Sequence, residues 1–514
     1  MIAKAHSCGL LGLDGYIVEV EADISSGMPA FDIVGLPDAA VKESKERVRT
    51  AMKNCNMDFP TKRITVNLAP ANLKKEGPAY DLPISVAILA STGQLPLREV
   101  AEYFFVGELA LDGRIRGVNG ILPMVMAAVK NGFNKVIVSA DNAKEAAIVA
   151  DAKIYPISNL HELMMHFSGQ REIERFEIDL DRLFDENNVY EADFSDVKGQ
   201  EDVKRAIEVA VAGGHNIIMI GSPGSGKSMM AQRIPTILPD LTFEEALEVT
   251  KIHSIAGVLD SGTPLLTTRP FRSPHHTISA SGLSGGGSVP KPGELSLAHN
   301  GVLFMDELPE FHRDVLEGMR QPLEDGKVTI SRVAGTLTYP CNMLFAASMN
   351  PCKCGYYGDP SGKCNCSPMQ ITRYRSRISG PLLDRIDIHV EVPVVKYKDL
   401  ESECEVESSK EIKIRIDAAR KVQLARYRDA KVYSNSQLTP ALLKKYCKLD
   451  AGCKELLKTA FENMGLSARA HDRILKVART IADLEGAENI EQAHLAEAIQ
   501  YRGLDRKYGG FGYA

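Results

Sequence analysis

Apolar residues fall in short unbroken runs through the middle of the chain, with helical spacing beside them. Ile217–Ile220 and Val302–Met305 are wholly apolar, and residues 344–349 are apolar or small. Runs of this length, bounded by polar residues, are typical of strands buried on both faces of a parallel sheet. Residues 229–234, after the first run, have the character of a helix. The pattern predicts an α/β core built on a parallel sheet.

Patterning also divides the chain into four parts. Residues 1–168 alternate β-branched runs with helical stretches, which predicts an N-terminal α/β domain. Residues 169–193 are rich in acidic side chains and predict a linker. The α/β core is expected over residues 194–395 and includes an insert and a loop with four cysteines. Residues 409–514 have helical spacing and predict a helical C-terminal domain.

Composition and charge narrow the classes of protein. The chain has 514 residues, of which 44% are hydrophobic and 25% charged, as in ordinary soluble proteins. Its start has no signal-peptide pattern, and its apolar runs are too short to cross a bilayer. We therefore expect a cytoplasmic protein that does not contact a membrane. The formal net charge of -6 excludes a basic field over the whole protein, so any contact with nucleic acid must be local.

The first chemical motif lies between the strand at 217–220 and the helix that follows. Its eight residues fit the pattern G-x-x-x-x-G-K-[ST]: Gly221, Ser222, Pro223, Gly224, Ser225, Gly226, Lys227 and Ser228. Glycines without a Cβ let successive backbone N–H groups face phosphates, and the lysine reaches the β- and γ-phosphates. The pattern predicts a binding site for ATP.

Acidic residues complete a predicted hydrolysis site. Asp306 and Glu307 follow the buried strand Val302–Met305. Ser228 and Asp306 are expected to hold Mg²⁺, and Glu307 is expected to polarise the attacking water. The run that begins at residue 344 ends in Asn350, which would place this amide beside the same water.

Four cysteines form a second candidate site. Cys352, Cys354, Cys364 and Cys366 occur as two C-x-C pairs nine residues apart. Four thiolates on one short loop suit tetrahedral Zn²⁺ and predict a structural zinc site. Free thiols are the alternative, because cysteines in a reducing compartment need not bind metal.

The segment between the two nucleotide motifs is long and contains the glycine-rich stretch 281–288, which predicts a flexible loop. Arg272 and Lys291 flank this stretch and could contact a DNA backbone, because sequence-independent binding depends on positive groups. The alternative is that Arg269 and Arg272 form salt bridges inside the insert while the neighbouring histidines pack structurally. The sequence leaves both interpretations open.

The order of these motifs and the residues within them resemble those of AAA+ ATPases of the magnesium-chelatase-like branch. More narrowly, RPFRSPHHTI at 269–278, PKPGELSLAH at 290–299 and GVLFMDELPEF at 301–311 resemble the YifB/ComM group, competence-associated ATPases linked to DNA branch migration. The resemblance implies an AAA+ P-loop core with a C-terminal helical lid. It also implies a homo-hexamer with ATP that acts on single-stranded or branched DNA.

The same resemblance assigns roles to three polar residues. It implies that Asn350 is the sensor-1 residue, that Arg385 is an arginine finger given to a neighbouring subunit, and that Arg469 is the sensor-2 residue on the lid. A guanidinium from the next subunit would neutralise charge on the γ-phosphoryl transition state. For Arg385 the alternative is an ordinary ion pair with Asp384 or Asp387.

The N-terminal domain resembles the proteolytic domain of Lon-type proteases, through VNLAPANLKKEGPAYDLP at 66–83 and GELALDGRIRGVNG at 107–120. Lon-type catalysis needs a serine and a lysine. Ala79 and Leu122 stand at the corresponding positions, so the domain is expected to be non-proteolytic. A hexameric ATP-driven DNA motor is the preferred hypothesis. A chelatase-type or protein-remodelling motor is the first alternative, and an ATP-dependent protease is the less favoured one.

Overall fold

The protein consists of two compact units in a computed structural model. The described residues are 2–186, 192–260, 262–287, 290–332, 335–359, 362–395, 406–430, 432–464 and 466–503. The first unit contains residues 1–187 and 243–267, and the second contains residues 188–242 and 268–514. Parts of the predicted linker (187–191) and of the predicted helical domain (431, 465 and 504–514) lie outside the described residues.

A mixed seven-stranded sheet organises the first unit. Its strands run in the order β3-β4-β2-β1-β5-β8-β9, and the strands from β1 through β5 and β8 to β9 are parallel. A separate two-stranded ribbon pairs β6 with β7. The strands of this unit are β1 Ala3–Leu11, β2 Asp14–Ser25, β3 Ala30–Val34, β4 Arg63–Ala69, β5 Tyr103–Val106, β6 Glu108–Leu109, β7 Ile115–Arg116, β8 Lys135–Ser139 and β9 Lys153–Ile157.

Helices cover this sheet, and local capping defines where some of them begin. The Asp38 carboxylate accepts the Val41 N–H at 2.7 Å and so caps the helix Ala39–Asn54. The helices of the unit are Ala39–Asn54, Asp81–Ser91, Leu97–Val100, Ile121–Lys130, Ala143–Ala146, Leu160–Phe167, Leu180–Glu186 and Phe243–Ala256. The last of these falls within the predicted range of the α/β core, but by its contacts it belongs to the N-terminal unit.

A five-stranded parallel sheet organises the second unit, with the order β11-β14-β17-β10-β18. Two antiparallel hairpins, β12–β13 and β15–β16, stand apart from it. The strands are β10 Ile217–Ile220, β11 Phe271–Arg272, β12 Gly285–Gly286, β13 Lys291–Pro292, β14 Val302–Met305, β15 Lys327–Arg332, β16 Gly335–Pro340, β17 Leu344–Met349 and β18 Ile388–Glu391. The buried runs of the sequence are thus confirmed as parallel strands.

One hydrophobic core joins this sheet to the C-terminal helices, because it includes Ile217 of β10 together with Ile416 and Ile474. The helices of the unit are Glu201–Gly213, Lys227–Ile237, Ala280–Ser284, Glu294–Leu297, Arg313–Gly318, Pro322–Asp325, Pro368–Arg375, Gly380–Leu383, Ser409–Arg426, Pro440–Tyr446, Ala451–Met464, Ala468–Leu484 and Gln492–Gln500. The predicted α/β core with a helical C-terminal region is therefore observed.

The glycine-rich stretch is more ordered than a flexible loop. Ser279 caps the short helix Ala280–Ser284 by accepting the Gly282 N–H, and Gly285 then pairs with Pro292 in the β12–β13 hairpin. A Cβ on Gly285 would lie 2.4 Å from the Lys291 carbonyl oxygen. The glycine therefore permits a close backbone approach. Residue 288 lies outside the described part of the chain.

Among the residues that the structure describes, there is no helix with the length and apolar character needed to span a bilayer.

A buried ion cluster ties the C-terminal helices together and gives a stability prediction. The Asp483 carboxylate accepts hydrogen bonds from Arg426 at 2.6 Å, from Arg479 at 3.1 Å and from Asn435 at 2.9 Å. Asp483→Ala leaves two guanidinium groups without this partner and should lower the free energy of unfolding by about 3–5 kcal/mol. Urea denaturation followed by circular dichroism measures the change. Glu462→Ala, at an exposed position, is the control, and an equal midpoint for the two variants would contradict the prediction.

Candidate nucleotide site

The loop of residues 221–226 connects β10 to the helix Lys227–Ile237. Gly224 and Gly226 have φ angles of 77° and 90°, in the left-handed region that favours glycine. The helix begins directly after the loop, so its first N–H groups have no partner within the helix. These donors and the positive end of the helix dipole form a phosphate-binding end.

The Lys227 ammonium lies inside this loop. Its Nζ donates to the carbonyl oxygens of Gly221 at 2.8 Å and Ser222 at 2.9 Å, and it lies 3.5 Å from Asn350 Oδ1. Burial lowers the pKa of Lys227, while the negative charge of Asp306 opposes that shift. The structure therefore brings the lysine, the loop and the predicted sensor-1 amide together.

Asp306 is held at the end of β14 by two hydroxyl groups. Ser228 Oγ donates to one carboxylate oxygen at 2.7 Å, and Ser348 Oγ donates to the other. The Glu307 N–H is directed to Asp306 Oδ1 at 3.0 Å and to Ser348 Oγ at 3.3 Å. Oxygen donors from a serine and an aspartate suit Mg²⁺, so the residues present fit the expected ion.

Glu307 adopts an unusual backbone conformation for a residue with a side chain. Its φ angle is 52°, in the left-handed region, which costs about 1 kcal/mol or more for a residue other than glycine. The hydrogen bonds of its N–H hold this turn, and its side chain is exposed. The carboxylate is accessible to a water molecule beside the phosphate-binding end, as general-base chemistry requires.

The four cysteines converge on one point. The Sγ atoms of Cys352 and Cys354 are 3.3 Å apart, and Cys364 Sγ lies 3.8 Å and 3.6 Å from them. All four ligand atoms, including that of Cys366, lie within 4.8 Å of one another. Tetrahedral zinc with Zn–S bonds near 2.3 Å needs sulfur atoms about 3.8 Å apart. A hydrogen bond from the Tyr356 backbone lowers the pKa of Cys354 to about 6, which favours a thiolate ligand.

Arg385 and Arg469 line one cavity of about 620 Å³ in the second unit. Residues of the loop 221–228 do not belong to its lining. Arg385 donates to the Pro381 carbonyl at 2.7 Å and pairs with Glu324. The exposed Arg469 lies at the start of the helix Ala468–Leu484. The two arginines predicted to act on nucleotide thus share a cavity whose lining does not include the phosphate-binding loop of the same chain.

Asp387, one of the acidic neighbours considered for Arg385, has other partners. Arg473 donates to its carboxylate at 2.5 Å, and His215 Nδ1 lies 3.2 Å away. Burial by itself would raise the pKa of Asp387, but the Arg473 charge and the contact with His215 hold it below its usual range. The ion pair that Arg385 forms is with Glu324.

Arg272 and Lys291, the candidate DNA contacts, differ in their surroundings. The Arg272 guanidinium makes two hydrogen bonds of 2.7 Å to the Glu294 carboxylate. Arg269 donates to the Asn300 carbonyl at 2.7 Å. Lys291 is exposed on β13. Arg272 thus forms a salt bridge inside the insert, as the alternative interpretation expects, whereas Lys291 is accessible to a partner.

The β15–β16 hairpin was missed by the sequence analysis. Its buried face includes Tyr339, whose hydroxyl donates to the Pro290 carbonyl at 2.7 Å and so joins it to the neighbouring insert. Its exposed face has hydroxyl side chains and the cation Lys327, while Arg332, at the end of β15, is exposed on the same face as Val328 and Ile330. Arg332 Nη2 would lie 3.3 Å from a Cβ on Gly286 of the β12–β13 hairpin. The alternation of hydroxyl and β-branched residues could have revealed this hairpin.

Ser348 was also missed, although its signal was present. Residues two apart in a strand face the same side, and Ser348 precedes Asn350 by two positions in the run predicted as β17. Its side chain is fully buried, yet it is polar. A polar residue in an otherwise apolar buried strand, in step with a catalytic candidate, could have been predicted to face the same site.

The positions of the Lon-type dyad contain no reactive group. Ala79 lies in the short turn Pro78–Tyr80 and Leu122 in the first turn of the helix Ile121–Lys130, and both are buried apolar residues. Neither can serve as nucleophile or base. The structure offers no support for proteolysis at these positions.

Comparison with known proteins gives consistent matches along the chain. The family model "Magnesium chelatase, subunit ChlI" matches residues 193–400, "Subunit ChlI of Mg-chelatase" matches residues 20–142, and the C-terminal model matches residues 406–502. Competence protein ComM of Haemophilus influenzae is 41% identical, with 98% of each chain covered. The uncharacterized protein YifB of Escherichia coli is 42% identical with the same coverage. Lon protease of Azorhizobium caulinodans is 23% identical over 30% of this chain and 19% of its own.

The position of Ser348 predicts a specific kinetic effect. Ser348→Ala removes one hydroxyl from Asp306 and one acceptor from the Glu307 N–H, so the turn that positions Glu307, the predicted water-activating residue, loses support. We expect kcat for ATP hydrolysis to fall about 10- to 100-fold, with ATP affinity changed less than about threefold. Steady-state kinetics and nucleotide titration measure the two quantities. Ser376→Ala, at an exposed serine of the same unit, is the control. A large loss of affinity with an unchanged kcat would contradict the assignment.

Proposed function

Because the chain belongs to the YifB/ComM family of magnesium-chelatase-like AAA+ ATPases, we propose that it is an ATP-driven motor that moves branch points in DNA. The process would be recombination of imported single strands, as the name of the competence protein ComM suggests. A cytoplasmic location is part of this proposal. The observation that carries its ATPase part is the convergence of Lys227, Asp306, Glu307 and Asn350 at one edge of the parallel sheet.

Each residue of this edge has a role in the proposed hydrolysis. The Lys227 ammonium and the helix N-terminus bind the phosphates of ATP. Ser228 and Asp306 would hold Mg²⁺, which neutralises phosphate charge when bound. Glu307 orients the attacking water and accepts its proton. Asn350, beside Lys227, orients the γ-phosphate and that water.

The shared cavity of Arg385 and Arg469 supports a ring. Guanidinium groups that do not face their own phosphate-binding loop can complete a site on a neighbouring subunit. We therefore infer a homo-hexamer in which this cavity receives the nucleotide of the next protomer. In the structure Arg385 pairs with Glu324. When the neighbouring protomer binds ATP, Arg385 would leave Glu324 and pair with the γ-phosphate instead.

Two adjacent hairpins support the proposed contact with DNA. The β12–β13 hairpin presents Lys291, and β15–β16 presents Lys327 with a row of hydroxyl groups on one face and Arg332 at the end of β15 on the other. Cations and hydroxyls bind phosphate oxygens without reading base sequence, which suits a motor that moves along DNA. Single-stranded or branched DNA is the proposed substrate. Arg272 is a weaker candidate, since its guanidinium already pairs with Glu294.

The four-cysteine cluster is proposed to hold a structural Zn²⁺. The sulfur separations fit a tetrahedral site, and four protein ligands leave no open position for catalysis. The residues around it form a loop too small for its own core, which a metal would stabilise.

A chelatase-type or protein-remodelling motor is the second candidate function. The matches to magnesium-chelatase models favour it. It shares the nucleotide site and differs only in the client molecule. An ATP-dependent protease is disfavoured because apolar residues occupy the dyad positions Ala79 and Leu122.

Hydrolysis in the presence of DNA tests the proposed function. We expect purified protein to hydrolyse ATP several-fold faster with single-stranded DNA or a four-way junction than without DNA, because bound DNA biases the ring towards its active arrangement. Glu307→Gln should bind ATP but hydrolyse it at least about 100-fold more slowly, because it lacks the carboxylate that accepts the proton. Hydrolysis that does not respond to either DNA would favour a protein or tetrapyrrole-pathway client.

Subunit mixing tests the ring and the role of Arg385. Arg385→Ala and Lys227→Ala should each be almost inactive alone, since an arginine finger contributes about 10³-fold or more. When the two variants are mixed in one ring, an Arg385→Ala protomer binds ATP and a neighbouring Lys227→Ala protomer supplies the missing arginine. Hydrolysis at such a combined site should partly recover. Lys227→Ala mixed with Glu307→Gln is the control, because both changes disable a subunit's own site. Failure of the first mixture to exceed the control would contradict action between subunits.

A further inference from the structure

The four-cysteine loop contacts the phosphate-binding loop directly. Ser222, the second residue of the phosphate-binding loop, donates its hydroxyl to Asp359 Oδ2 at 3.0 Å. Asp359 lies between Cys354 and Cys364 in the sequence, so the contact comes from within the proposed metal loop. Ser222 is only 8% exposed, which shields this hydrogen bond from solvent on the serine side.

A second contact lies next to the first. Gly355 follows the ligand Cys354 and packs on Pro223, the residue after Ser222. A Cβ on Gly355 would be 2.5 Å from Pro223 Cδ, and the Gly355 φ angle is 88°. Both the lack of space and the left-handed backbone require glycine at this position. Two consecutive residues of the phosphate-binding loop are therefore held by the cysteine loop.

The cysteine loop also continues from the nucleotide site along the chain. Asn350, whose Oδ1 lies 3.5 Å from Lys227 Nζ, precedes Cys352 by two residues. The Pro351 carbonyl accepts a hydrogen bond from Arg375 Nε at 3.1 Å, which anchors the start of the loop. The loop is thus joined to the nucleotide site in two ways: it follows Asn350 in the chain, and it packs on the phosphate-binding loop.

Apart from the cysteines, this loop is held by turn hydrogen bonds and by two contacts between a cation and a ring, from Arg375 to Tyr357 and from Lys363 to Tyr356. Among its described residues, Pro351, Cys352 and Gly355 are buried, while the others are exposed or partly exposed. A segment without its own core depends on covalent or metal cross-links for a fixed conformation. A metal that joins the four thiol groups would therefore add the cross-link that fixes Asp359 against Ser222.

We propose that the metal-bound four-cysteine loop is a clamp on the phosphate-binding loop, so that zinc bound by the cysteines controls affinity for ATP. Asp359 is the positioning residue that transmits the effect. The proposal rests on the ATP and zinc sites proposed above. Its physical basis is preorganisation: a loop with Gly224 and Gly226 has many accessible conformations, and restraining it before binding reduces the entropy lost when nucleotide binds.

The test compares nucleotide affinity with and without zinc in the full chain. Zinc is removed with a chelator under reducing conditions, Mg²⁺ is restored, and a fluorescent ATP analogue is titrated before and after zinc is added back. Zinc removal should weaken binding by the wild-type protein about tenfold, the scale of one lost hydrogen bond to a charged group. Asp359→Ala should bind about tenfold more weakly with zinc present and should not respond to its removal.

Matched variants separate the clamp from a general loss of structure. Asp314→Ala, at an exposed aspartate in the same unit, should keep the wild-type response to zinc. Asp359→Asn retains an acceptor oxygen and should recover part of the affinity. Ser222→Ala combined with Asp359→Ala should be no weaker than either single variant, because both remove the same hydrogen bond. At saturating ATP, kcat of Asp359→Ala should stay near the wild-type value, since the change leaves Glu307 in place.

The possible failures are distinguishable. Wild-type protein that binds no ATP analogue overturns the proposed function itself. Elemental analysis that finds no zinc in protein purified without chelator overturns the metal site and the clamp, and leaves the ATP site standing. Bound zinc whose removal leaves the wild-type affinity unchanged overturns the clamp alone. The clamp is likewise overturned if Asp359→Ala still responds tenfold to zinc.

Discussion

The pairing of β17 between β10 and β14 is the constraint on which the nucleotide site depends. Ile217 of β10 is in register with Ala346, and Phe304 of β14 is in register with the same residue. Because the three strands are parallel, their carboxyl ends meet at one edge of the sheet. The phosphate-binding loop, the acidic pair and Asn350 each follow one of these strands. Slipping one strand would separate Lys227, Asp306 and Asn350, the groups proposed to act on one bound nucleotide.

Two serine hydroxyl groups hold the Asp306 carboxylate in a defined position at this edge of the sheet. Asp306 has one serine on each carboxylate oxygen, from the helix after β10 and from β17. The same Ser348 accepts the Glu307 N–H and holds a backbone conformation that is unfavourable by itself. A partly buried polar network with its partners in place is rigid, and rigidity is what the hydrolytic role proposed for Glu307 would require. The cysteine loop extends the same principle to the phosphate-binding loop.

The first unit shows how a catalytic scaffold can keep its fold without its chemistry. Near Leu122, where Lon-type enzymes are expected to have the lysine, the turn binds the helix Phe243–Ala256 instead. The Gly120 N–H donates to Ser254 Oγ at 3.0 Å, and Ser254 donates to Glu145 at 2.5 Å. Glu145 also accepts the Leu122 N–H, and burial raises its pKa. The turn therefore serves as a structural attachment for the 243–267 segment.

The sequence by itself determined the buried strands, the phosphate-binding loop, the acidic pair and the four cysteines. These features are local: apolar runs, glycine spacing and ligand spacing depend on neighbours in the chain. Only the tertiary structure decided that Arg272 pairs with Glu294, that Arg385 and Arg469 share a cavity, and that Asp359 contacts Ser222. Those partners lie 22 to 137 residues apart in the chain, and packing brings them together. The sequence determines which chemical groups are present and how far apart they lie along the chain, whereas the fold determines which of them come into contact.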